Sequence, residues 1–281
     1  MINLIYLAHT DPRFIRQARF SILALMEYIP EFREDYRLIV FTDQAESFLD
    51  LGAVIEPLDK ARIREFRGLN DFVHRMKIRA LQEVMTTYTG HAVLLDSDNL
   101  TFKDPRQLFE KLVVGDSILN QIEERLDQPE SPLGKKFRRF FKKHPVIPVG
   151  SEELKIPMDA VLWNAGVVGI PEGKKFMLDQ VLALCDYIYS RYQKHIAEQI
   201  SFNIILGMNT QIQAGEAWIY HWFGHGQAIN RIIADLFDQM EGKSVEEQIA
   251  AVAAVKEAVL QAPLNPDKLK KKWYVKWLPS S

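Results

Sequence analysis

The amino-acid sequence predicts an α/β fold, a mostly parallel sheet flanked by helices. Three observations carry this. Apolar strand-like runs alternate with helix-like segments along most of the chain. The first run, residues 2–7 (Ile-Asn-Leu-Ile-Tyr-Leu), is nearly continuous in apolar side chains, as expected of a strand covered on both faces. The run at 91–95 passes straight into Asp96-Ser97-Asp98, at the carboxyl end of a strand, where open α/β sheets bind their ligands.

The elements follow in order. Thr10 or Asp11 can cap a helix with Pro12 in its first turn, and Phe14, Ala18, Ile22 and Leu25 recur at helical spacing before Pro30. Residues 38–41 form a second strand ending at Thr42-Asp43, and residues 53–55 a third, closed by Pro57. Asn70 or Asp71 starts a helix with Phe72, Met76, Ala80 and Val84 on one face. Gly90 precedes the strand at 91–95, and 105–113 reads as a short helix. Residues 117–150 break the rhythm with Pro129, Pro132, Pro145, Pro148 and a basic run, and read as an insertion. Strand patterns return at 160–163 and 167–170, around Asn164-Ala165-Gly166. Helices follow near 173–191 and 195–206, and a last strand at 217–220 ends at His221. Ser244 and Glu247 form a capping box before a terminal helix reaching about Ala262. The chain thus reads as a single domain over 1–262 and a basic, aromatic tail over 263–281.

Composition bounds the rest. With 47% hydrophobic and 26% charged residues among 281, the chain is ordinary globular protein, which excludes disorder and collagen. The one cysteine, Cys185, excludes an internal disulfide and a thiolate zinc site, and fits a reducing, cytoplasmic compartment. The N-terminal run lacks a basic flank and reads as a strand rather than a signal peptide. No run approaches the roughly 20 apolar residues of a spanning helix.

The net charge of −2 hides an asymmetry. Residues 135–144 carry six Lys and Arg and residues 268–277 five Lys, while all 37 Asp and Glu lie outside these two windows. An acidic body argues against nucleic acid as a partner. Both windows interleave their charges with aromatic rings, a pattern suited to an anionic membrane surface with rings at the headgroups. The tail is expected to make such a peripheral contact at the inner face of a membrane. The window at 135–144 fits either that role or a lid over an acceptor.

Asp96-Ser97-Asp98 is the most informative motif. Where a strand ends and the chain turns, both carboxylates can reach one hard divalent cation. A solvated turn would favour the same residues. Further motifs lie in order around it: Phe72-Val73-His74-Arg75-Met76-Lys77 upstream, and Asn164-Ala165-Gly166-Val167, Glu198-Gln199-Ile200-Ser201-Phe202-Asn203 and His221-Trp222-Phe223-Gly224 downstream. In this ordered set the chain resembles metal-dependent glycosyltransferases of the GT-A fold, with their Rossmann-like nucleotide-binding half. It is most similar to the retaining family that includes glycogenin and bacterial lipopolysaccharide galactosyl- and glucosyltransferases.

The resemblance implies a nucleotide diphosphate sugar as donor, a UDP-hexose above all, and a glycan or glycolipid acceptor. It implies Mn²⁺ or Mg²⁺ held by Asp96, Asp98 and His221, an imidazole beside carboxylates suiting Mn²⁺ better than Ca²⁺. His225 competes with His221, although Gly224 and Gly226 argue against a helix that would pair them. Ala8, His9, Thr10, Arg75, Lys77, Ser97, Asn164 and Gly166 fall at nucleotide-sugar-binding places. Arg75 suits a bidentate phosphate contact, and Lys77, off its face, reads as surface. Asp43 is a weaker candidate. Glu198 and Gln199 are the catalytic candidates nearest the anomeric carbon.

Three positions depart from the family. His9 stands where acids or Asn are usual, Ile200 replaces a second acid, and Gln227 stands where a diphosphate-binding Lys is frequent, with Arg231 or Arg75 left to compensate. Two rival readings follow. A haloacid-dehalogenase-like phosphatase also places such an acidic pair after a strand, with Thr101 one position late and Gly115-Asp116 as a later acidic motif. A nucleotide-sugar or membrane-binding module with a decayed site is the other.

Overall fold

The computed structural model of the protein describes residues 1–263 other than 33, 151 and 224; the tail at 268–277, with its expected membrane contact, and Gly224 lie outside the described residues. In chain order the elements are β1 (Ile2–Leu7), α1 (Pro12–Met26), β2 (Tyr36–Thr42), β3 (Val54–Pro57), α2 (Lys60–Arg67), α3 (Arg75–Thr87), β4 (His91–Leu95), β5 (Asn99–Thr101), α4 (Arg106–Val113), β6 (Ser117–Leu119), β7 (Ile122–Arg125) and α5 (Pro132–Lys143). There follow β8 (Val146–Val149), β9 (Glu152–Lys155), β10 (Val161–Trp163), β11 (Val167–Ile170), α6 (Met177–Arg191), α7 (Ala197–Asn209), β12 (Ile212–Ala214), β13 (Ile219–His221), α8 (Gly226–Met240) and α9 (Val245–Leu260).

Seven strands form the central sheet, in the order β12-β6-β11-β4-β1-β2-β3. All run parallel except β11, which is antiparallel to both β4 and β6. The apolar runs at the centre are buried because helices cover both faces: Leu4, Ile5, Ile39, Val40, Val93 and Leu94 are at most 1% exposed. On one face α3, α6 and α7 pack around Ile5, Leu94 and Val168. On the other α1, α4, α8 and α9 pack around Leu4, Val93 and Val167.

Reversal of β11 positions the functional edge. Its first residue, Val167, pairs with Leu95, the last of β4. The turn at 164–166 therefore meets Asp96 at the same edge of the sheet. Beside it, β13 pairs antiparallel with β5, bringing His221 opposite Asn99.

Local signals behave as their chemistry requires at the helix ends. Asp11 caps α1 by accepting from the Arg13 N–H, with Pro12 in the first turn, and Ser244 and Glu247 form the complete capping box of α9. Three expectations are corrected. The helix placed at Asn70 or Asp71 begins at Arg75, because Asp71 takes φ 50° in a turn ahead of it. As the glycines implied, no helix pairs His221 with His225: His221 ends β13 and α8 starts only at Gly226, after His225. The segment 117–150 is not wholly an insertion, since β6 lies inside the central sheet. Phe14 leaves the buried face of α1 and is 46% exposed.

The basic window at 135–144 is α5, and it has two faces. Phe137 and Phe141 are fully buried, and Phe140 stacks on Tyr192. The rings that read as membrane-seeking in sequence are thus held in the core, because helical period sends them to the face opposite the charges.

Candidate active site

Backbone hydrogen bonds fix the turn after β4. The Asp96 N–H donates to the Gly166 carbonyl at 2.9 Å, and Asn99 Nδ2 donates to Gly166 O at 2.6 Å and Asp96 O at 3.1 Å. The Trp222 N–H donates to Asp98 O at 3.1 Å, tying the end of β13 to the same turn. Asp96, Asp98 and His221 thereby offer one ligand atom each within 4.8 Å of one another. His221 Nε2 lies 3.1 Å from Asp98 Oδ1 and 3.9 Å from Asp96 Oδ2. The three line a cavity of about 610 Å³ at the carboxyl edge of the sheet, together with His9, Thr10, Lys77, Glu123, Glu198 and Gln199.

Asn164 sets the imidazole. Its Oδ1 accepts the Gly166 N–H at 2.9 Å, which identifies that atom as oxygen, and it lies 2.7 Å from His221 Nδ1. His221 therefore carries its proton on Nδ1 and turns Nε2 toward Asp98. Gly166 is required by the same packing, since a Cβ there would collide with the imidazole ring. Asn164 Nδ2 donates to Glu123 Oε1 at 3.2 Å, and Gln199 Nε2 donates to Glu123 Oε2 at 3.0 Å.

The electrostatics follow from burial and close charges. Burial pushes the Asp96 carboxyl up despite the Lys77 ammonium at 2.7 Å. Burial acts the same way on Asp98, but His221 outweighs it and holds that carboxyl below its ordinary range. His221 in turn resists the downward effect of burial through Asp98 and is raised. Lys77 is likewise held above its ordinary value, with Asp96 and Glu198 (3.5 Å) overcoming desolvation. Glu198 is 3% exposed, and burial raises its pKa to about 7 against the opposing pull of Lys77. Burial also raises Glu123.

Most residues singled out in sequence converge here, and some do not. Ala8 is buried outside the lining, its N–H given to Phe41 O. Thr10 takes φ 68° and donates its N–H to both oxygens of Asp43 at 3.0 Å, so Asp43 anchors this loop. Ser97 lines the cavity and donates to Gln17. Arg75 and Lys77 exchange the parts expected of them. Arg75 turns away, forking onto Asp186 at 2.8 and 3.1 Å and onto the Phe66 carbonyl, while Lys77 reaches the acidic pair. His225 gives no competition to His221, because its Nδ1 meets Ala262 O at 2.7 Å. Ile200 is fully buried in the core, which accounts for an apolar residue at that place. Gln227 and Arg231 are exposed and outside the lining.

Glu123 escaped the sequence reading. It lies on β7, and the antiparallel pairing of β7 with β10 carries it to Asn164. The phosphatase reading fails on topology: Asp116 precedes β6, which runs parallel to β4, so it sits at the sheet edge opposite Asp96.

The donor set fits a divalent cation. Two carboxylate oxygens and an imidazole nitrogen whose other nitrogen is held by an amide oxygen make a borderline-hard site with its outer support in place.

No family model and no curated protein matches the chain. Among solved structures, the galactosyltransferase LgtC in complex with donor and acceptor sugar analogues is similar at 10% identity, over 96% of this chain and 99% of that chain, with a TM-score of 0.56. Mouse xyloside xylosyltransferase 1 in its apo form is 14% identical over 76% of this chain and 85% of that chain, with a TM-score of 0.48. The likeness to LgtC shows that this chain has the GT-A fold. Among the described residues, no helix is long and apolar enough to cross a membrane.

Proposed function

We propose that this chain is a metal-dependent glycosyltransferase that moves a hexose from a nucleotide diphosphate sugar, a UDP-sugar in this reading, to a glycan or glycolipid acceptor with retention at the anomeric carbon. One observation carries the reading: Asp96, Asp98 and His221 converge at the carboxyl edge of a GT-A sheet, in the same cavity as Glu198 and Gln199. The place of work in this reading is the cytoplasm.

Asp96, Asp98 and His221 would hold Mn²⁺ or Mg²⁺, which supplies charge neutralisation to the departing diphosphate. The other roles belong to the chain itself. Lys77 offsets the charge that Asp96 and Glu198 concentrate in a buried place, keeping both carboxylates close to the reacting centre. Glu198, with a pKa of about 7, can hold or release a proton near neutral pH at the sugar. Gln199 is oriented by Glu123, and its amide oxygen is left to face a hydroxyl of the sugar. Gly166 leaves room for the His221 ring, and Ser97 lines the cavity beside the acidic pair. His9 and Thr10 line the cavity near the nucleotide end.

The test is incubation with Mn²⁺ and a panel of UDP-, GDP- and dTDP-sugars, reading release of the nucleoside diphosphate. Release from one donor, dependent on metal and lost in Asp98→Ala, is expected. No release from any donor, with acceptor glycans present, would overturn the enzyme assignment.

A further inference from the structure

Outside the cavity lies α5 (Pro132–Lys143). Its six basic side chains, Lys135, Lys136, Arg138, Arg139, Lys142 and Lys143, share no ion pair with any acid among the described residues, and all but Arg138 are exposed. At about 100° per residue the six fall within an arc of roughly 160°, with Phe137, Phe140 and Phe141 opposite. No acidic residue lies on the helix. From Lys135 to Lys143 this basic face is about 12 Å long.

Position adds meaning to the charge. Ser131, the N-cap of α5, and Leu133 in its first turn both line the cavity. Glu124, which accepts the Ser131 hydroxyl at 2.6 Å and lines the cavity too, ties that end down. The basic face therefore starts at the cavity wall and runs outward on an otherwise acidic molecule.

We propose that the exposed face of α5 is a docking surface for an anionic phospholipid bilayer, holding the cavity mouth at the membrane. A row of unpaired cations on a folded helix fits a planar anionic surface, where each adds about 1 kcal/mol. Phe137 and Phe141 are committed to the core and Phe140 packs against it, so attachment is electrostatic, reversible and salt-sensitive. This inference stands apart from the transfer reading, since vesicle binding needs no turnover.

The experiment is co-sedimentation of the full chain with phosphatidylcholine vesicles, with and without phosphatidylglycerol. Two variants are compared: the triple substitution Lys135→Gln, Arg139→Gln, Lys142→Gln, and, as a control for the tail, Lys270→Gln, Lys271→Gln, Lys272→Gln. The wild type should bind only the anionic vesicles and be released by high salt. The α5 variant should bind about a hundredfold more weakly, with an unchanged melting temperature. Equal binding by the α5 variant would overturn the proposal, as would equal binding to neutral vesicles. Loss of binding to a soluble acidic polysaccharide, with vesicle binding kept, would reassign the face to an anionic glycan and overturn it as well. Should the α5 variant not fold, wild-type binding to anionic vesicles that resists high salt would by itself overturn the proposal.

Discussion

His221 Nε2 lies 3.1 Å from Asp98 Oδ1 because Asn164 has already engaged the other ring nitrogen at 2.7 Å. The acid and the imidazole come from strands far apart in sequence, β4 with its turn and β13, and meet through the β5–β13 pairing and the Trp222 N–H bond to Asp98 O. A divalent cation taking the place between them would find its ligands oriented in advance.

Asn164→Ala should therefore weaken Mn²⁺ binding without touching a metal ligand. Losing the outer support of a ligating histidine costs about 10–100-fold in metal affinity. The same change leaves the Gly166 N–H without a partner and Glu123 with the Gln199 amide alone, so the fold should lose on the order of 1–3 kcal/mol. Manganese titration followed by electron paramagnetic resonance, with thermal melts in parallel, separates the two effects.

Gly166→Ala should act more sharply on the site than on the fold. The added Cβ collides with the His221 ring and must displace it from Asp98. Overpacking of this kind costs about 1–3 kcal/mol. Metal binding should be lost in a protein that still melts cooperatively; intact metal affinity would show that the ring can relocate freely.

Glu198 makes stability depend on pH. Its pKa rises from an ordinary 4.5 to about 7 on folding, so the folded chain holds a proton that the unfolded chain releases. Stability contributed by that proton is present below about pH 4.5 and is lost as pH rises through about 7. Glu198→Gln should thus leave stability unchanged near pH 4 and raise it near pH 8 by on the order of 1–3 kcal/mol. Denaturant melts at the two pH values test this, and an equal effect at both would contradict it.

Arg75→Ala should destabilise the chain while leaving metal binding at Asp96 and Asp98 intact, since the guanidinium joins α6 to the end of α2 and does not line the cavity. Loss of the charged hydrogen bonds costs on the order of 1–3 kcal/mol. Arg75→Lys should recover little of it, because one ammonium cannot span the two oxygens of Asp186 and the Phe66 carbonyl. Urea unfolding of the three proteins is the check.

Much of this was legible in the sequence because it is local. Apolar runs too continuous for a half-exposed strand marked β1, β2 and β4, and the acidic pair followed β4 without a gap. The turn at 164–166 announced itself through its small residues. What was hidden depends on phase or on distance along the chain. Arg75 and Lys77 differ by about 200° around a helix, so which one faces the site is set by where α3 begins, and Asp71 moved that start. Glu123 lies 41 residues from Asn164, and only the β7–β10 pairing joins them. The segment read as an insertion supplies both this carboxylate and, through Ser131 and Leu133, part of the cavity wall.

The most direct measurement is calorimetric titration of UDP into the wild type and Asp98→Ala, each with and without Mn²⁺. Binding that requires Mn²⁺ and disappears in Asp98→Ala is the expected result. Binding of UDP that ignores both the metal and the substitution, or no binding in any condition, would contradict a metal-held nucleotide in this cavity.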